Sequence, residues 1–91
     1  MTDQTSPEAI ENKRTAWHSR RGMLELDVLL LPFAEEAFPG LSREDKDRYL
    51  ALLDREDPDL FTWFMEHKMP GDPDMEKIIM MVREHSRTRA R

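Results

Sequence analysis

His18, His67 and His85 are the only imidazoles in the chain. Each falls in a different predicted element, none at metal-ligand spacing from another, so a zinc site is not expected. A hydrolytic triad needs a nucleophile on a sharp turn beside a histidine and an acid, and no serine here has that context. Asp57 and Asp59 are paired carboxylates that could in principle exchange protons. They bracket Pro58 at a helix start, however, where capping of free amides is the better reading. Glycine occurs only at 22, 40 and 71, too sparsely for a loop that cradles phosphates or a dinucleotide. What remains is a binding surface. Arg20, Arg21 and Glu25 set charges of both signs around the bare backbone of Gly22, and guanidinium forks bond carboxylates or carbonyls. That is recognition chemistry, with no groups of its own to make or break bonds.

The elements that carry this corner follow from periodicity. Met23, Leu26, Leu30 and Phe33 recur at steps of three and four, the apolar stripe of a second helix lying on a core, with Glu25 and Asp27 on the wet side. Arg20 and Arg21 stand at its head, where free amides already place partial positive charge, at a cost of about 0.3–1 kcal/mol apiece. Local helix stability therefore does not account for them. Gly22 costs roughly 1 kcal/mol against alanine in a helical run; it is used either for a left-handed corner or for backbone that another molecule approaches closely. Arg21 and Glu25 are one turn apart and share a face. From the residues alone, the commoner use of such a stretch is an exposed inter-helix corner with no partner.

Four more helices complete the chain. Ser6-Pro7 is a cap and first-turn pair that starts a helix over about 7–19. Its stripe is thin, Ala9, Ile10, Ala16 and Trp17, with Trp17 as the expected anchor. Pro32 should kink or break the second helix, and Phe38-Pro39-Gly40 should end it. Ser42 caps a third helix whose buried stripe is Tyr49, Leu52 and Leu53. The device Asp57-Pro58-Asp59 opens the fourth and recurs as Asp72-Pro73-Asp74 before the fifth. Leu60, Phe61, Phe64 and Met65 are expected in the core with Trp63 flanking them, and Met75, Ile78, Ile79 and Val82 give the last stripe. The fold class is all-α, a compact five-helix bundle forming a single domain over 1–91, with flexible tails at 1–5 and 84–91. The seven methionines suit gap-filling in a small core.

Composition narrows the function classes. The 91 residues suffice for one modest core. There is no cysteine, which removes disulfides, thiolate metal sites and thiol nucleophiles together. The longest apolar run, Val28 to Phe33, is far short of the ~20 residues of a membrane helix, and the first eleven residues carry acids and no base, unlike a targeting peptide. A soluble, cytoplasmic, monomeric bacterial protein is expected. The net charge of −5 is uneven. Lys13 to Arg21 holds four bases and no acid, residues 22–82 hold fifteen acids against six bases, and Arg83 to Arg91 returns four arginines against one glutamate. An acidic body with basic ends is a poor nucleic-acid binder and a plausible protein binder.

Arg21-Gly22-Met23-Leu24-Glu25, preceded by Arg20 and followed by Leu26-Asp27 and Pro32-Phe33, resembles the signature of the small FAD assembly factors of succinate dehydrogenase, the SdhE family. Asp57-Pro58-Asp59-Leu60-Phe61, then Trp63, His67 and Pro70, is similar to that family's second motif in order and spacing. The likeness covers roughly 14–82; it departs at Lys68-Met69, where members commonly carry a glycine. It implies a non-enzymatic factor that binds the flavoprotein subunit of succinate dehydrogenase, and of fumarate reductase where present. Such a factor promotes covalent attachment of FAD to a histidine of that subunit, binding no cofactor stably itself and acting on FAD carried by the partner. Arg21, Gly22 and Glu25 map onto the motif as the partner-binding centre, with Arg20, Arg14 and Asp27 in support. The alternative is a regulatory protein-binding module, since relatives are also described as antitoxins acting against a toxin of cell-shape proteins; a nucleic-acid binder ranks third.

Overall fold

Helix α1 spans Pro7–His18 in the computed structural model, which describes residues 6–89. It starts as its sequence dictates: the Ser6 Oγ accepts the Ala9 amide at 3.0 Å and Pro7 occupies the first turn. Its inner face differs from expectation. Thr15 and Ser19 are buried and Asn12 and Ala16 half-buried, whereas Trp17 is 78 % exposed. Trp17 therefore does not anchor the helix. It lies two residues, about 200° of helical turn, from both Thr15 and Ser19, and the helix presents its small polar residues inward. These let α1 come close enough for the Ser19 and Tyr49 hydroxyls to bond at 2.7 Å.

Helix α2, Leu24–Pro32, buries Leu26 and Leu30. Pro32 has no amide to donate, and the chain answers by re-spacing itself. Phe33–Ala37 forms a π-helical turn closed by the Phe38 amide on the Phe33 carbonyl, followed by a 3-10 turn over Phe38–Gly40. The predicted break at Pro32 thus takes the form of a bulge that carries Phe33, Ala34 and Phe38 into the core.

Helix α3, Arg43–Leu53, is capped by Ser42, whose Oγ accepts the Asp45 amide at 3.1 Å. Tyr49, Leu52 and Leu53 are buried as expected, and so is Lys46. The Lys46 ammonium stands 5.5 Å from the centre of the Phe38 ring and 3.8 Å from the Glu8 carboxylate, a cation–π contact supplemented by a partly exposed charge. Helix α4, Asp57–Met65, buries Leu60, Trp63 and Phe64. Trp63, expected at the margin, belongs to the core, and Phe61 and Met65 are only half-buried.

The turn after α4 uses a left-handed residue at His67, φ 62°, and a second at Gly71, φ 88°. His67 thus takes the left-handed position, ahead of Lys68-Met69. Helix α5, Pro73–Arg89, begins at Asp72, whose Oδ1 accepts the Asp74 amide at 2.9 Å, and it buries Met75, Ile78, Ile79 and Val82. A flexible tail was expected from residue 84. Residues 84–89 are instead the last turns of α5, with the His85 ring edge-on to Phe33 and both His85 and Arg89 reaching Glu36, at 3.1 and 2.9 Å. The remaining tail residues, 1–5 and 90–91, lie outside the described residues.

The five helices pack as a bundle, with no strand among the described residues. Helix α3 lies on α5, α2 on α4 and α5, and α1 over the π turn. This leaves the link between α1 and α2, residues 19–23, at one end of the α2–α4 contact.

Candidate functional site

The corner begins with Ser19, which ends α1: its amide reaches the Thr15 and Ala16 carbonyls. Arg20 then points to solvent. Arg21 does the opposite; its side chain is only 11 % exposed. Its Nε donates to the Asp57 carboxylate at 2.8 Å, one terminal nitrogen to the carbonyls of His18 and Leu53 at 3.1 Å each, and the other to the carbonyl of Arg55 at 2.8 Å. His18 and Leu53 are the last residues of α1 and α3. One guanidinium therefore satisfies carbonyls at two helix C-termini, where a cation is electrostatically favoured, and meets the carboxylate at the first position of α4, where an anion is favoured. Charge-assisted hydrogen bonds of this kind are about twice as strong as neutral ones.

The backbone is fixed from the other side by Asp27, whose carboxylate accepts the Arg21 amide at 2.8 Å. Between these two restraints the chain reverses at Gly22, with φ 84°. A side chain at that φ is strained. Apart from its two chain neighbours, no atom of the described residues lies within 4 Å of where a Cβ at Gly22 would stand, so the glycine is required by the turn and faces open space. Around it the exposed residues are Trp17, His18 and Arg20 before the turn and Leu24 and Glu25 after it, with Leu24 74 % and Val28 55 % exposed. Leu24 and Val28 are one helical turn apart and share a face of α2. Trp17, His18, Arg20, Arg21 and Asp57 also line a shallow cleft of about 390 Å³.

Residues 13–86 match the family model described as the flavinator of succinate dehydrogenase. The FAD assembly factor SdhE of Pseudomonas aeruginosa is 51 % identical over 82 residues, which cover 90 % of this chain and 92 % of that protein. The FAD assembly factor SdhE of Pseudomonas putida is 48 % identical over the same shares, and that of Shewanella oneidensis 49 % over 70 residues, 77 % of this chain and 85 % of the relative. The chain belongs to the SdhE family of FAD assembly factors. As a member of that family it is an assembly factor for flavinylation rather than an enzyme, and among the described residues no helix is long and apolar enough to cross a membrane.

Within this SdhE-family chain, the residues singled out from the sequence divide into two sets. Arg20, Gly22 and Glu25 are exposed around the turn. Arg21 and Asp27, expected beside them at the contact, are engaged with their own chain and hold the turn in shape. The face shared by Arg21 and Glu25 does not form, because Gly22 places Arg21 outside α2, which starts at Leu24. Arg14 is exposed on α1 and lines a separate groove of about 860 Å³ between α1 and α3, with Glu11, Arg43 and Lys46 among its other walls. Asp57, expected to cap α4, instead takes the Arg21 guanidinium, and α4 has no side-chain cap at Glu56. Trp17, Leu24 and Val28 were missed as surface residues. The signal for the two on α2 was available: that helix is apolar on nearly every face, and a helix has only one side for the core.

Proposed function

We propose that this chain docks on the flavoprotein subunit of succinate dehydrogenase through the turn at Gly22 and thereby promotes covalent attachment of FAD to that subunit. The supporting observation is the turn itself: backbone exposed at a positive φ, with nothing where a side chain would stand, and with Trp17, Leu24 and Val28 uncovered near it in the chain. Large apolar side chains left in water on a small soluble domain are a feature of protein contacts. Arg20 and Glu25 supply charges of both signs for register. The family membership of the chain supports the identity of the partner.

The FAD is the partner's. The chain contributes placement: it holds the immature subunit so that the flavin and the residue it will be joined to are aligned, and alignment alone can remove several kcal/mol from a barrier. The flavoprotein of fumarate reductase is a second partner under the same reading, and the factor acts as a cytoplasmic monomer without nucleic acid or membrane.

The test is to express the flavoprotein subunit with the wild-type factor, with Gly22→Arg and with Glu25→Ala, and to score covalent flavin by in-gel fluorescence. Both variants are expected to lower the flavin signal, Gly22→Arg to near the level without factor. Undiminished flavinylation with both would overturn the assigned surface.

A further inference from the structure

We propose that Asp57 is a positioning residue for flavinylation, acting through Arg21 on the turn at Gly22; this rests on the docking reading above. Asp57 lies thirty-six positions along the chain from Arg21, at the start of a different helix. Its carboxylate is the only charged partner among the four acceptors of the Arg21 side chain; the other three are carbonyls at the ends of α1 and α3. A carboxylate facing Nε fixes the plane of the guanidinium, and with it the direction of the two terminal nitrogens. The Arg21 backbone, gripped in turn by Asp27, then enters Gly22 in one conformation.

Removal of the Asp57 carboxylate leaves the three carbonyls in place but frees the guanidinium to rotate among them and water. The corner then samples several conformations, of which one docks. A factor whose docking conformation is only partly populated shows weaker apparent affinity by that fraction and an unchanged activity once bound. Asp57 therefore governs how much factor is needed, whereas a residue touching the reacting groups would govern how fast the saturated complex reacts.

The experiment follows covalent flavin on the flavoprotein subunit against factor concentration, for wild type, Asp57→Ala, Asp57→Glu and Asp59→Ala. Asp59 is the control: it too is an acid in the first turn of α4, but it is exposed and takes no part in the Arg21 network. For Asp57→Ala the half-maximal concentration is expected to rise roughly tenfold, about the equivalent of one charge-assisted hydrogen bond, with the plateau rate unchanged. Asp57→Glu should recover part of the shift and Asp59→Ala should match wild type. An unchanged half-maximal concentration in Asp57→Ala, an equal shift in Asp59→Ala, or a lowered plateau in place of a shift would each overturn the proposal. Should Asp57→Ala fail to fold, Asp57→Asn, which keeps the shape without the charge, is judged by the same outcomes. If wild-type factor promotes no flavinylation at all, it is the docking reading that falls.

Discussion

The hydroxyls of Ser19 and Tyr49 are hydrogen-bonded at 2.7 Å with both residues fully shut off from water. Ser19 also donates to the Thr15 carbonyl at 2.7 Å, which uses its only hydroxyl proton. Tyr49 is therefore the donor between them, with the Leu30 carbonyl at 3.3 Å as its weaker acceptor. Three helices, α1, α2 and α3, meet in this chain of hydroxyls. Ser19→Ala, which leaves a buried phenol with the distant carbonyl alone, is expected to cost about 1–3 kcal/mol, and Tyr49→Phe about 1 kcal/mol. Denaturant unfolding of the two single variants and the double variant checks this, with the double variant costing less than the sum.

Burial pushes the Tyr49 phenol well above the ordinary tyrosine range, and the nearby charge of Arg21 offsets only part of this. A raised pKa in the folded state means that the folded protein resists losing this proton. The stability so contributed is intact below the unfolded value near pH ~10 and is lost as pH climbs above it toward the folded value. The chain has a single tyrosine, so the ultraviolet signal of tyrosinate is unambiguous. It is expected to appear together with alkaline unfolding, followed by circular dichroism, and not as a separate step near pH 10.

At Gly22 two demands can be separated. Gly22→Ala is expected to destabilise the protein by about 1–2 kcal/mol through backbone strain at φ 84°. Gly22→Asn should cost less, because asparagine visits the left-handed region more readily. Since an added Cβ meets no atom of the described residues beyond its two chain neighbours, any loss of flavinylation by Gly22→Asn beyond its stability change reports the partner. Thermal unfolding beside the in-gel flavin assay provides both measurements.

The two tryptophans should behave in opposite ways. Trp17→Ala is expected to change stability by no more than about 0.5 kcal/mol, and Trp63→Ala, which empties part of the core, by about 3–5 kcal/mol. Denaturant midpoints check the pair. In wild type, iodide quenching of the exposed Trp17 should fall when the flavoprotein subunit is added.

Much of the architecture could be read directly from residue types. Ser6-Pro7, Ser42 and Asp72 announced three helix starts, and Met75, Ile78, Ile79 and Val82 gave α5 its inner face without ambiguity. The errors in α1 share one cause. Periodicity weighs residues by hydrophobicity, and α1 packs through Asn12, Thr15, Ala16 and Ser19, whose value is small size and a hydroxyl. The same weighting assigned Trp17 to the core. At the site, Gly22 was read as bare backbone and its φ agrees, but the inward turn of Arg21 depends on carbonyls contributed by α3 and a carboxylate from α4. No local pattern encodes that meeting, although the two sequence blocks containing Arg21 and Asp57 were both visible.

The π turn after Pro32 has a consequence for the length of this segment. A turn closed from Phe38 back to Phe33 holds one residue more than an ordinary helical turn. Shortening 33–37 by a single residue would let an ordinary helical turn close on the same Phe33 carbonyl, with Phe38 still directed at Tyr49 and Lys46. The surplus residue is thus one that this turn can lose with the facing of Phe38 kept, whereas losing one from a regular turn of α2 or α3 would rotate everything after it by about 100°.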